Sequence, residues 1–162
     1  MKKILLITTF MTLALIKGYS QTLTLGTLIK YLNKDTDQIA EELLQKGYSF
    51  YGNQNYPSFQ KGNGNDNFSI DLNRNGENYL QTCSSIKFNY IFTSLDKEIK
   101  TTSRKLKFFY SEWAKGYVTE YLYKNKYYIY TGQGICFTKD NKPMKYIYLS
   151  DQNLKSIVFS YK

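Results

Sequence analysis

The stretch DQIAEELLQKGYSFYG, residues 37–52, holds the change from a helical to a strand-like pattern that sets the fold class. Asp35, just before it, and Gln38 have the spacing of a capping box, and Gly47 stands where a helix commonly ends. The apolar helix face between them consists of Ile39, Ala40, Leu43 and Leu44. Aromatic residues then alternate with polar ones, so the stretch predicts a helix followed directly by a strand.

Working outward, apolar residues at helical spacing predict a short helix over residues 24–32, and Ser94 is a candidate cap for a third helix that extends to about Leu106. The Gly/Asn-rich residues 57–67 indicate a polar loop, and Asn75-Gly76 and Lys124-Asn125 indicate hairpin turns. Period-two alternation predicts strands over residues 48–56, 68–72, 79–83, 86–93, 107–113, 117–123, 126–137, 144–149 and 154–161.

The two halves of the chain, residues 24–93 and 94–162, resemble each other. KGYSFYG after the helices of the first half is echoed by LKFFYSEW after the helix of the second half. The predicted fold class is therefore α+β, with two degenerate helix-plus-antiparallel-strand repeats forming a two-layer sandwich with one open sheet face. Coincidence among many aromatic strands is the alternative explanation of the likeness.

The first twenty residues have the order of a secretory signal. Lys2 and Lys3 precede an apolar run of signal length, and Gly18 and Ser20 fit the small positions before a cleavage site. We expect residues 1–20 to be a removed signal peptide rather than a retained anchor, which leaves residues 21–162 as a single domain without a membrane span. The expected location is the periplasm or the cell exterior.

The charge distribution and the lack of histidine limit which ligands and which kinds of catalysis the sequence allows. The formal net charge of +9 is spread over scattered lysines, and residues 1–20 carry three of them, so +6 remains after cleavage. This distribution disfavours nucleic acid and suits anionic surfaces or acidic glycans better. Because the chain has no histidine, Ser-His-Asp and Cys-His catalysis are excluded, and a carboxylate pair such as Glu112 and Glu120 is what remains for an enzyme. We predict no catalysis and no cofactor.

Two further motifs offer binding chemistry. Cys83 and Cys136 are a candidate disulfide in an oxidising compartment, or else two separate small apolar residues in strands. Asp71, Asn73 and Asn75 have the alternate spacing of a calcium loop. Because Thr82 occupies the position of the usual closing glutamate, a tight turn is the favoured interpretation of this loop and no metal site is predicted.

Tyrosine is the most distinctive residue type, with 17 copies. In the predicted strands, alternation places tyrosines on a face opposite to aliphatic residues, which favours a Tyr/Lys-rich face toward water. The candidate binding residues are Tyr117, Tyr121, Tyr123, Tyr146 and Tyr148. Tyrosines are suited to protein or glycan recognition, although cross-strand pairing that stabilises the sheet explains them equally.

The signal-like start, the DQIAEELLQKGYSFYG junction and the Asn/Lys/Tyr-rich tail resemble uncharacterised small secreted proteins of Bacteroidota. The helix-plus-sheet halves are similar to β-lactamase inhibitory protein and to SmpA/OmlA-type assembly lipoproteins, but the lipid-bearing cysteine of the latter is missing. No functional residue carries over. The predicted function is a non-enzymatic binding domain, inhibitor- or immunity-like. The alternatives are a carbohydrate or anionic cell-surface binder and a carboxylate-based hydrolase.

Overall fold

The computed structural model describes residues 23–63, 66–74, 78–112, 114–134 and 144–153. The predicted signal peptide, Asn75, Cys136 and the predicted strand over 154–161 lie outside these ranges. Within the described ranges the chain forms three α-helices and one antiparallel sheet of eight strands. The predicted α+β class is confirmed, and the sheet is its dominant element.

The helices are α1 (Leu25–Leu32), α2 (Thr36–Gln45) and α3 (Asn89–Thr102). The strands are β1 (Ser49–Gly52), β2 (Pro57–Asn63), β3 (Asp66–Asn73), β4 (Tyr79–Ser84), β5 (Arg104–Ser111), β6 (Gly116–Tyr123), β7 (Tyr127–Gly134) and β8 (Met144–Ser150). Their order across the sheet is β1-β2-β3-β4-β8-β7-β6-β5, so β1 and β5 form the two edges.

The helix-to-strand junction forms as its sequence predicts. The Asp35 carboxylate accepts a hydrogen bond from the Asp37 amide at 2.9 Å and caps α2. The helix ends before Gly47, which has a φ of +77° that a residue with a side chain adopts at a cost. The Tyr48 amide then donates to the Leu43 carbonyl at 3.0 Å, and β1 begins one residue later.

The main hydrophobic core lies between the helices and one face of the sheet, here called the helix face. All three helices contribute fully buried side chains, for example Leu28, Ile39 and Leu95. The sheet contributes Ile70 and Ile147 to the same core. Because each fully buried aliphatic side chain stabilises the fold by about 1.5–3 kcal/mol, this core holds the helices on the sheet.

The predicted polar loop over residues 57–67 is wrong. Its residues form β2 and the start of β3, which pair from Ser58 with Asp71 to Asn63 with Asp66. Phe59 in this segment is fully buried in the main core. The burial of this single aromatic residue outweighs the Gly/Asn-rich composition, which is common in hairpin connections as well as in loops.

The predicted strand over residues 86–93 is also wrong, because a 3-10 turn (Ile86–Phe88) leads directly into α3. The third helix therefore begins at Asn89 rather than near Ser94. Ile91, Leu95 and Ile99 are four residues apart and all buried, which is helical periodicity. Neighbouring aromatic residues of high strand propensity obscured it in the sequence.

Candidate functional site

The five predicted binding tyrosines do not share one face of the sheet. The register places Glu120 beside Tyr130 and Tyr130 beside Tyr148, and directly paired residues point to the same side. Ile147, which lies between Tyr146 and Tyr148 on β8, is buried in the main core under the helices. Because residues alternate along a strand, Tyr146 and Tyr148 lie on the face opposite to the helices. Residues alternate along β6, and Glu120 of that strand is on the opposite face. Tyr117, Tyr121 and Tyr123 therefore lie on the helix face.

Burial separates these tyrosines further. Tyr146 and Tyr148 are 0% and 1% exposed, and Tyr121 is 5% exposed. The expectation of a water-facing tyrosine surface is wrong for these three. Tyr123 is half-buried, and the Lys124 ammonium lies 5.3 Å from its ring centroid. Of the five predicted residues, Tyr117 remains as a well-exposed ring, with 61% of its surface accessible.

The opposite face carries its own buried cluster rather than an open surface. Its members are Cys83, Ala114, Val118, Tyr130, Met144, Tyr146 and Tyr148. The rings of Tyr146 and Tyr148 meet edge to face with their centroids 5.8 Å apart. These tyrosines therefore stabilise the sheet through ring packing, which the sequence had left as the alternative explanation.

Tyr117 belongs to an exposed aromatic cluster with Phe108 and Tyr110 of β5. The ring centroids of Phe108 and Tyr117 are 5.1 Å apart and their planes differ by 8°, whereas Tyr110 meets Tyr117 edge to face at 5.5 Å. Phe108 and Tyr110 are 60% and 48% exposed. The sequence reasoning missed both residues, although their alternate spacing in LKFFYSEW places them on one side of a strand.

Cations border the exposed aromatic cluster. The Lys105 ammonium lies 5.6 Å from the centroid of the Phe108 ring, within the range of a cation–π contact. Arg104 and Lys107 are exposed on the same strand, but they pair with Leu122 and Glu120 and so point to the opposite face of the sheet. Within the described residues, none of these three cations forms an ion pair with a carboxylate. The cluster therefore combines apolar rings with the positive charge of Lys105, and Arg104 and Lys107 add charge along the same edge strand.

Polar side chains continue the helix face next to the rings. Thr119 pairs directly with Phe108, and Gln133 lies one strand beyond Tyr117 at an exposed position. Lys145 follows on β8, with its ammonium 5.2 Å from the centroid of the Phe92 ring. The arrangement offers hydrogen-bonding groups within one or two strand spacings of the rings, roughly 5–10 Å away.

The two candidate catalytic acids occupy different environments. Glu120 is fully buried, and the Tyr130 hydroxyl donates to its Oε1 at 3.4 Å on the face opposite to the helices. Glu112 is exposed in the turn after β5. The sequence-predicted pair thus has one member buried beside Tyr130 and one exposed to solvent.

Of the candidate calcium residues, Asp71 is hydrogen-bonded within the protein. The two oxygens of Asp71 accept hydrogen bonds from the hydroxyls of Ser58 at 2.5 Å and Ser69 at 2.8 Å. Burial raises the pKa of the Asp71 carboxyl, and these two hydrogen bonds partly oppose the rise. Asn73 ends β3, and Asn75 lies outside the described residues. Among the residues described, no group of three acidic, Cys or His side chains is placed to hold a metal ion.

Arg74, which stands inside the calcium-like motif, closes the end of α1. Its guanidinium donates to the carbonyls of Tyr31 at 2.8 Å, Lys34 at 2.9 Å and Leu32. Desolvation lowers the pKa of Arg74, whereas the charge of nearby Asp35 raises it. The guanidinium lines a polar cavity of about 500 Å³ together with residues 33–37 and the β1–β2 connection. Arg74 of the Asp-Leu-Asn-Arg motif thus caps the C-terminal end of α1.

Cys83 is buried on β4, and its Sγ lies 2.9 Å from the Gln81 side-chain amide. Its candidate disulfide partner, Cys136, lies outside the described residues. The predicted pairing therefore stays a prediction.

Comparison with known proteins adds no relative: the chain matches no protein-family model, no curated protein and no solved structure. In the described part of the chain, none of the helices has both the length and the apolar character needed to cross a membrane.

Proposed function

We propose that this chain is an exported, non-enzymatic binding protein that recognises another protein through its exposed aromatic cluster. The observation that carries the proposal is the stacked pair of Phe108 and Tyr117, with both rings about 60% exposed. Large aromatic side chains with ordered neighbours are the residues that dominate binding energy at protein interfaces. A soluble domain gains little from leaving three neighbouring rings in water.

The size of the cluster supports a role as the centre of a larger interface. A fully buried aromatic side chain removes about 150–250 Å² from water, so three rings that are half exposed offer roughly 300 Å². A standard protein interface covers about 800 Å² on each partner. The surrounding polar and cationic residues, such as Lys105 and Gln133, would supply the rim.

The topology supports the proposal that the chain consists of two related halves. The first four strands form one antiparallel meander and the last four form another, and the two meet where β4 pairs with β8. The strand order is therefore the same when read inward from either edge. We propose that this order reflects the degenerate repeat in the sequence.

A carbohydrate is the second candidate ligand. Sugar rings stack on flat aromatic faces, and the parallel arrangement of Phe108 and Tyr117 presents such a face. The hydroxyl of Thr119 and the amide of Gln133 lie on the same face of the sheet and can bond sugar hydroxyls. The carboxylate hydrolase has less support, because Glu120 is buried and hydrogen-bonded to Tyr130.

The experiment that tests the proposal is capture from periplasmic and cell-surface extract with immobilised protein, followed by affinity measurement on each captured protein. The test variant is Phe108→Ala/Tyr117→Ala. We expect a captured protein to bind this variant at least about 30-fold more weakly, since hot-spot residues are worth about 2 kcal/mol or more.

The matched control is Tyr51→Ala/Tyr56→Ala, which removes two rings that are about half exposed near the other edge of the sheet. It should bind as the native protein does. Equal affinity of the captured protein for the native chain and for Phe108→Ala/Tyr117→Ala would contradict the proposal. Ring-dependent binding to a glycan array with no captured protein would replace the first candidate by the second.

A further inference from the structure

The strand β5 forms an edge of the sheet that no described strand covers. It is eight residues long, and its first five residues are all exposed. The other edge, β1, has four residues and ends at Gly52, which has a positive φ of 89°. An open edge presents backbone N–H and C=O groups that an extended segment can pair with. The longer edge of this sheet is therefore its better template for an added strand.

The edge strand has two different halves. A bulge interrupts its pairing with β6 between Lys105 and Lys107, and pairing is regular from Lys107 to Ser111. The regular half carries Lys107 and the rings of Phe108 and Tyr110, whereas the bulged half carries Arg104 and Lys105. An added strand would thus meet the apolar rings toward one end of β5 and two of its three cations at the other.

The charge pattern indicates what kind of strand fits. Arg104, Lys105 and Lys107 form no ion pair with any carboxylate in the described residues. The whole chain is also basic, with a net charge of +9. A second copy of this chain would bring a like-charged edge into contact, and lysines and bulges commonly prevent such self-pairing. An acidic segment would instead be attracted to the strand.

We propose that β5 binds an extended acidic segment of the partner protein by strand addition. The inference rests on the proposed function and specifies its partner. Because every strand pair in the sheet is antiparallel, the added strand would run antiparallel to β5. Its N-terminal part would then pair with residues 107–111 and pack on the exposed aromatic cluster. Its C-terminal part would carry the acidic residues toward Arg104 and Lys105.

The test uses synthetic peptides and the purified native protein labelled with ¹⁵N. The probe is acetyl-TVTVTEEE-amide, in which an apolar alternating half precedes an acidic half. One control, acetyl-EEETVTVT-amide, has the same composition in reverse order, and a second carries N-methyl groups on alternate amides of the probe. Binding is followed by amide chemical shifts and by hydrogen-exchange protection at β5.

The expected result is protection of amides on β5, with binding at least about tenfold weaker for the N-methylated control, since that change removes backbone hydrogen bonds worth about 1 kcal/mol each. The reversed peptide should bind several-fold more weakly than the probe. Added salt should weaken the binding of the probe, because it screens the attraction between its glutamates and the cations of β5. The variant Arg104→Gln/Lys105→Gln should lose the salt dependence.

Equal binding of the probe and its N-methylated control would overturn strand addition while leaving side-chain recognition by the rings intact. Binding that is independent of peptide order and salt would overturn the acidic antiparallel segment. Absence of binding at millimolar probe would overturn the inference as a whole. In each case the proposed function is decided separately, by the capture experiment with Phe108→Ala/Tyr117→Ala.

Discussion

The rings of Phe108 and Tyr117 stack at a centroid distance of 5.1 Å on neighbouring strands, and each leaves about 60% of its surface in water. Both residues lie on the face of the sheet that the helices cover elsewhere. The helices pack on β1, β2, β4, β8 and part of β6, and the rings of Phe108 and Tyr117 next to the β5 edge stay exposed. The exposed aromatic cluster is thus a consequence of helix placement.

Truncation of a tyrosine should have very different effects on the two faces of the sheet. Tyr146→Ala removes a fully buried ring and should lower the free energy of unfolding by about 3–5 kcal/mol. Tyr117→Ala removes an exposed ring and should cost about 1 kcal/mol, the value of its ring contacts. Urea unfolding measures both. Equal costs would show that the cluster of Tyr117 is structural.

The capping of α1 by Arg74 predicts a local loss of stability in Arg74→Ala. The substitution leaves the carbonyls of Tyr31, Leu32 and Lys34 without their charged donor, which should cost about 1–3 kcal/mol. Hydrogen exchange should speed up most in α1. Arg104→Ala, at an exposed position on β5, is the control and should change stability by less than about 0.5 kcal/mol.

The ion pairs between α2 and the α1 region predict a response to acid. Hydrogen bonds from Lys34 and Lys30 lower the pKa of Glu42 from its ordinary value of 4.5 to about 2. Because the folded-state pKa is depressed, the stabilising contribution is present above pH 4.5 and is lost as the pH falls toward 2. Glu42→Gln should therefore flatten the decline of stability in this window.

Thermal unfolding between pH 2 and pH 6 measures this effect. The control Glu41→Gln changes the neighbouring, exposed acid, which forms no ion pair with a lysine of the described residues. A decline as steep in Glu42→Gln as in the native protein would contradict the assignment.

Two glycines should respond to alanine with opposite signs. Gly62 has a φ of +96°, and a Cβ atom there would lie 2.2 Å from the Asp66 carbonyl oxygen, so Gly62→Ala should destabilise the β2–β3 hairpin by at least about 1–2 kcal/mol. Gly26 lies inside α1 with 3.8 Å to the nearest atom, so Gly26→Ala should stabilise by about 0.5–1 kcal/mol. Chemical denaturation distinguishes the two signs.

Alternation along the strands allowed part of the site to be predicted. It correctly separated Tyr146 and Tyr148 from Ile147 and Leu149, which lie under the helices. The same reasoning assigned the two faces of β6 the wrong way round. Alternation shows which residues share a face but not which face meets the helices. Tyr121 lies in the main core, and Glu120 lies buried on the opposite face.

The missed exposed residues have a similar physical origin. The KFFY sequence of β5 looks like a buried strand, since aromatic residues are usually covered. Exposure of Phe108 and Tyr110 depends on β5 being the sheet edge and on where α3 ends. Neither property is encoded in the local pattern of that strand.

The sequence by itself determined the helix-to-strand junction at Gly47, the α+β class, and the strands at residues 117–123 and 144–149, because these depend on capping residues and periodicity within a few residues of one another. The tertiary structure decided the strand order, the burial of Tyr146 and Tyr148, and the exposure of Phe108 beside Tyr117. Those outcomes depend on contacts between residues far apart in the chain, whose relative free energies no local pattern contains.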